Sequence, residues 1–296
     1  MIRTLQPGQR CEVWIACATT GARELVFTSD EVLFEAPNWT YDGAHLILNG
    51  AGTLWKLDLE DRTITQVPIT GVSDLNNDHV LAPDGTGIYL SANDGHIYKA
   101  ELRGGEAERL TNQDGTFHFL HGVSPDGLEL AYVSIDRGDF SKPGRLMTIP
   151  ANGGPSTAVD TGPGHCDGPE YSPDGKWLYF NTEAFTTQSG HAQIGRIHTT
   201  SGSTPEHLLE SDTVDWFPHL CPNGRLATYI RFPRGTQGHP ADLSVAVVLV
   251  STDDWTTPLH TWPLFGGQGT LNVNSWSPDS GRFAFVAYPL THPSKD

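Results

Sequence analysis

Residues that build long helices are scarce in this chain. Only 2 of its 296 residues are Met, and runs of Ala, Leu, Glu and Lys are absent, which argues against a helix bundle. Basic residues are also few, 18 against 35 acidic ones, for a formal net charge of −17 with no local basic cluster. Affinity for nucleic acid comes mainly from Lys and Arg neutralising phosphates, so neither nucleic acid nor an anionic membrane suits this surface as a partner. The acid excess either keeps the protein soluble or draws cations, metal ions included.

Other absences narrow the reading further. The four cysteines, Cys11, Cys17, Cys166 and Cys221, form no Cys-x-x-Cys pair, so neither a zinc ribbon nor a redox motif is indicated and free thiols are expected. No run of 18 apolar residues occurs, so no membrane insertion is expected. The first ten residues lack the apolar core of a secretory signal, which reads as cytoplasmic, with a trimmed periplasmic form as the alternative. A Gly-x-Ser-x-Gly elbow, a phosphate-binding glycine loop and an EF-hand loop are all missing.

Turn residues are what the chain has in plenty. Gly and Pro together make up 53 residues, and many fall in one recurring motif. The copies are Tyr41-Asp42-Gly43, Pro83-Asp84-Gly85, Pro125-Asp126-Gly127, Pro173-Asp174-Gly175, Pro222-Asn223-Gly224 and Pro278-Asp279-Ser280-Gly281. Asp-Gly and Asn-Gly favour tight hairpins because Gly and Asn tolerate positive φ. The turns recur at spacings of 42, 42, 48, 49 and 56 residues. Each is followed by alternating apolar strands such as Trp177-Leu178-Tyr179-Phe180. Four strands per unit of about 40–50 residues is the arithmetic of a β-propeller blade.

Six turns predict six blades. The last unit ends early, after Arg282-Phe283-Ala284-Phe285-Val286. The strands Glu12–Ala16 and Glu24–Phe27 supply the missing pair. We therefore expect an all-β, six-bladed propeller of four-stranded antiparallel blades. It spans residues 1–296 as one domain, its sixth blade closed two-plus-two by the N-terminal strands, which also removes open sheet edges.

In this architecture the innermost strand of each blade lines a central channel, and the residues before each turn belong to it. They are polar. Blade two brings Asn77, Asp78 and His79, blade three His121, blade four Asp167 and Glu170, and blade five Trp216 and His219. Blade one brings Asn38 and Trp39. His79 and His121 lie four residues before their Pro, and Glu170 and His219 three before theirs. Equivalent repeat positions are expected to face alike. Histidines and a carboxylate meeting on the axis suit manganese, iron, zinc or calcium; alternatively each His bonds the channel wall. Trp39 and Trp216 either stack on a sugar ring or pack between blades. Gly238-His239-Pro240 lies in a long blade-five insertion expected to cover the mouth.

The repeats resemble those of the TolB-like β-propeller family, through the turns and through segments such as Glu35-Ala36-Pro37-Asn38-Trp39, Asp167-Gly168-Pro169-Glu170-Tyr171 and Phe265-Gly266-Gly267-Gln268-Gly269. The arrangement is also similar to oligogalacturonate lyases. That second resemblance implies a manganese ion held by inner-strand His residues and a Gln, here His79, His219 and Gln268 with Glu170 beside them. It implies β-elimination on an acidic sugar, with His121 as the general base. The ligand expected is small and carbohydrate-like, contacted by Asn38, Trp39, Asn77, Asp78, Asp167, Trp216 and His239. The rival expectation is a non-catalytic scaffold of TolB type whose rim binds another protein, which needs an exposed apolar patch.

Overall fold

The computed structural model describes residues 2–290. They form strands and connecting turns without a helix, so no helix among them is long and apolar enough to cross a membrane. Five consecutive four-stranded antiparallel sheets start from innermost strands Phe34–Trp39, Leu75–Leu81, Thr116–Val123, Cys166–Tyr171 and Val214–Leu220. The sixth blade is composite. Its sheet orders Arg23–Ser29, Cys11–Cys17 and Arg282–Ala287, and a bridge from Trp276 to Phe283 adds an innermost segment. Two-plus-two closure thus occurs as expected: the C-terminal part supplies the inner half and the N-terminal part the outer half. All four cysteines are free.

The hairpin turns form where their chemistry predicts. Gly43, Gly85, Gly127, Gly175 and Gly224 all have φ between 70° and 75°, which costs glycine little. The preceding Asp holds the turn. Asp126 Oδ1, for example, accepts from the Ser124 hydroxyl at 2.6 Å and the Leu128 amide at 3.1 Å. Successive turns stack around the ring, and a Cβ placed on Gly127 would lie 3.7 Å from Pro83 of the preceding turn.

Apolar cores fill the spaces between neighbouring blades. One joins Leu46, Leu48 and Leu57 of blade one to Val13, Ala284 and Val286 of blade six, and so completes the ring. Burial of these faces is the main stabilising contribution. The innermost strands are buried on both faces, so their polar side chains lie either in the channel or between blades.

A local irregularity decides which. In blades one to five the innermost strand carries at least one residue more than its partner, a β-bulge. Ala36, Gly168 and Phe217, at equivalent bulge positions, have φ of 52°, 61° and 56°. Bulges re-aim side chains. Blade two interrupts its ladder between Leu75 and His79, so His79 is back in regular pairing opposite Leu90. In blade three His121 is itself the unpaired residue between Leu120 and Gly122.

Candidate functional site at the channel mouth

Counting back six residues from the first residue of each turn reaches Glu35, Asn77, Phe119, Asp167, Trp216 and Asn272. Five of these line one cavity of about 250 Å³ at the mouth where the innermost strands begin. The sixth, Trp216, lies behind Phe217, which lines the cavity in its place. Asp78, His121, His239 and Gln268 join the lining.

Asp167 is the centre of charge. His121 Nε2 lies 3.0 Å from one of its oxygens, and His165 and His239 approach the other at 3.6 and 3.9 Å. Burial alone would raise the Asp167 pKa, but the hydrogen bonds and charges of His121 and His165 hold it well below the usual carboxylate range. His121 faces acceptors on both sides, Asp167 at Nε2 and the Asn272 carbonyl at Nδ1, 3.3 Å away. Both nitrogens therefore carry hydrogen and the ring is an imidazolium. Burial pulls against this, yet the charges of Asp78 and Asp167 push its pKa up to about 9. Phe217 stacks on the ring with centroids 5.5 Å apart. Asp78 is raised to about 7, first by its burial.

A chain of hydrogen bonds fixes the tautomer of His239. Asn77 donates its amide to the Glu35 carboxylate at 3.3 Å, so its carbonyl oxygen accepts from Gln268 Nε2 at 3.2 Å. Gln268 therefore turns its oxygen to His239 Nδ1, which donates to it. That leaves His239 Nε2 with a free lone pair. Burial first, and the charges of His121 and His165, keep this ring's pKa below the ordinary histidine value. Arg3 closes the cavity from the N-terminal segment. Its Nη1 lies 2.6 Å from Glu35 and 2.5 Å from the Gln268 carbonyl.

The expected metal ligands His79, His219, Glu170 and Gln268 are not brought together. His79 is 1 % exposed, and burial pulls its pKa to about 4 against a hydrogen bond with the Ile47 backbone. His219 gives Nδ1 to Glu170 at 2.5 Å and Nε2 to the Leu271 carbonyl at 3.0 Å. Glu170 also accepts from the Leu220 amide at 2.7 Å and from Asn274 at 2.8 Å. It ties blade four to blades five and six, just as Asn38 accepts from the Leu81 amide to tie blade one to blade two. Among the described residues no three His, Cys, Asp or Glu side chains are placed to hold a metal ion. The residues present do not fit the manganese site that the lyase resemblance implies: Glu170 and His219 are spent joining blades four, five and six, His79 is buried apart from them, and Gln268 lies at the strand-start mouth. His79 and His121 do not face alike either, since only His121 is a bulge residue.

The remaining expected contacts divide. Asn77, Asp78, Asp167 and His239 line the mouth, the last from the blade-five insertion. Asn38, Trp39 and Glu170 line a second cavity on the turn side, and His121 lines both from the waist between them. Trp216 is buried against His165, Phe217 and His239. Sequence reasoning missed Arg3, Glu35, Phe119 and Phe217 as lining residues. The repeat position six before the turn would have found Glu35 and Phe119; no repeat marks Arg3.

Comparison with known proteins gives a consistent picture. No family model matches the chain. An uncharacterized protein of Agrobacterium fabrum is 36 % identical over 261 residues, covering 86 % of this chain and 85 % of the relative. A solved structure described as a TolB of Agrobacterium tumefaciens is 34 % identical, with a TM-score of 0.86 over 95 % of this chain and 99 % of that one. An oligogalacturonate lyase in complex with manganese shares the fold at 17 % identity, with a TM-score of 0.55 over 94 % of this chain and 78 % of the other.

Proposed function

The chain belongs to the TolB-like six-bladed β-propeller family, and from that premise we propose that its strand-start mouth binds a small, neutral, polyhydroxylated ligand of carbohydrate type. One observation carries the reading. Side-chain amides of Asn76, Asn77, Asn93, Gln268 and Asn272 line a single cavity above the His121–Asp167 pair. Amides offer both donors and acceptors, as hydroxyl groups require, and Phe119 and Phe217 add apolar surface.

Charge selects against an acidic sugar. The cavity holds three carboxylates, Glu35, Asp78 and Asp167, while Arg3 is engaged by Glu35 and His121 by Asp167. Among the described residues, no cation of this lining is left for a uronate. His239 Nε2 replaces His121 as the group placed to take a proton from the ligand, because His121 has no lone pair to offer. No step is assigned to a metal ion, since the residues present do not form a ligand set for one.

The scaffold reading has less support. Leu128 and Phe140 are the most exposed large apolar residues, but they flank opposite ends of the strand Glu129–Asp136. At about 3.3 Å per residue they stand too far apart to form one patch.

Thermal unfolding in the presence of neutral sugars, sugar alcohols and uronic acids tests the proposal. A neutral polyol is expected to raise Tm, and Asn77→Ala to abolish the rise. A larger shift with uronic acids than with their neutral counterparts sinks it.

A further inference from the structure

The channel's other mouth, on the side of the repeat turns, plays no part in the function proposed above. A cavity of about 310 Å³ opens there, at the lower end of the range for ligand pockets. Its wall is aromatic, with Trp39, Tyr41, Tyr171 and Trp276 set between the prolines of the turns. Three of the four polar tips are already engaged. Trp39 Nε1 donates to the Gly43 carbonyl at 3.1 Å, Trp276 Nε1 to the His219 carbonyl at 3.2 Å, and the Tyr171 hydroxyl to Glu129 at 2.5 Å. These three therefore present ring surface rather than hydrogen-bonding groups. Tyr41, 52 % exposed, stands at the opening.

Charge around the wall is mostly negative. Among the described residues, no Lys or Arg lines the cavity. Glu170 lies in its lining, hydrogen-bonded to His219, and the His121 charge is balanced by Asp167. Outside, Asp42, Asp84, Asp126, Asp174 and Asp279 occupy equivalent places in five of the six turns. Hydrogen bonds from their own turns keep all five below the usual carboxylate range. Lys176 offsets Asp174 at 3.2 Å. Arg282 already stands against this wall, its guanidinium carbon 5.1 Å from the Trp39 ring centre.

Aromatic faces attract cations through the ring quadrupole, and quaternary ammonium groups are a recurrent ligand of such walls. A rim of carboxylates raises the local concentration of cations. A methylated ammonium head needs no hydrogen bonds, which suits walls whose polar groups are satisfied. We propose that the turn-side mouth is a binding site for a small organic cation of the alkylammonium class, held by Trp39, Tyr41, Tyr171 and Trp276 beneath the aspartate rim.

The test uses the full chain with choline and with its neutral isostere 3,3-dimethylbutan-1-ol, followed by tryptophan fluorescence and calorimetry. Saturable choline binding at least tenfold tighter than that of the alcohol is expected, weakening as salt is raised. Tyr41→Ala should weaken it several-fold and Tyr41→Phe should retain it. Tyr41 is half exposed, so neither change threatens folding. Equal binding of the two probes, no binding of either, or indifference to Tyr41→Ala overturns the proposal. Asn77 lines only the strand-start mouth, so Asn77→Ala should leave choline binding unchanged; a loss there would place the probe in the wrong mouth and also overturn it.

Discussion

His121 Nε2 lies 3.0 Å from Asp167 Oδ1, and both side chains are buried at the waist of the channel. The pair comes from adjacent blades, three and four, so it cross-links the ring where the two cavities meet. A buried ion pair is weak evidence for net stability against an apolar alternative, but removing one partner leaves a buried charge unpaired. Asp167→Ala is therefore expected to cost about 3–5 kcal/mol, read by urea unfolding.

The same pair sets a pH dependence. The folded pKa of His121, about 9, lies above the roughly 6.5 of an unfolded histidine. Its contribution is complete below about pH 6.5 and is lost as pH rises toward 9, a change of about 3 kcal/mol. The opposing cost of ionising Asp78, raised to about 7, is largely complete before that fall. Unfolding free energy should drop across this window in the natural chain and drop less steeply in His121→Gln, where His165, lowered by burial but raised on balance by Asp167, still titrates. Asp78→Asn should lower the His121 pKa, as ring NMR shifts would show.

Arg3 is the counter-charge of a nearly buried carboxylate. Burial pushes the Glu35 pKa up even with Arg3 in place. Arg3→Ala should destabilise the fold by roughly 1–3 kcal/mol at neutral pH. The loss should shrink in a Glu35→Gln background, because no buried charge is then stranded. A double-mutant cycle with coupling below about 0.5 kcal/mol would refute the link.

Glu170 accepts hydrogen bonds from His219, Leu220 and Asn274. Glu170→Ala should cost about 3–5 kcal/mol and leave binding at the strand-start mouth intact in the folded fraction. Denaturant unfolding paired with ligand titration distinguishes this bracing role from a ligand-contacting one, in which binding would fall first.

Gly43 isolates the cost of the turn backbone. Its φ is 75°, and a Cβ there would meet nothing within 4 Å. Gly43→Ala should lose about 1–2 kcal/mol from the left-handed conformation alone. Gly43→Asn should recover part of that, because Asn tolerates the region. Thermal unfolding of the two variants checks the order.

Much of the architecture was legible because turn chemistry is local. Six Asp-Gly-like turns and the strands Glu12–Ala16 and Glu24–Phe27 carry the blade number and the composite sixth blade in their own residues. The site was only partly legible. Asn77, Asp78, Asp167, His121, His239 and Gln268 meet at one mouth, whereas Trp39 and Glu170 line the other and His79, His219 and Trp216 pack between blades. Counting from the turns assumes an unbroken two-residue alternation. The bulges break it, and a single-residue slip reverses the side chain. Arg3 was invisible because it lies outside every repeat and its partner Glu35 is 32 residues away.

By itself, then, the sequence determined a ring of six blades, its turns and the polarity of its inner strands, since each follows from a few neighbouring residues. Tertiary structure alone decided which polar groups are spent joining blades and which remain open to a ligand. That choice depends on bulge geometry and on partners brought in from other blades. His121 shows the difference most plainly: its place in the repeat suggested a base, and two acceptors from distant segments, Asp167 and the Asn272 carbonyl, make it a cation.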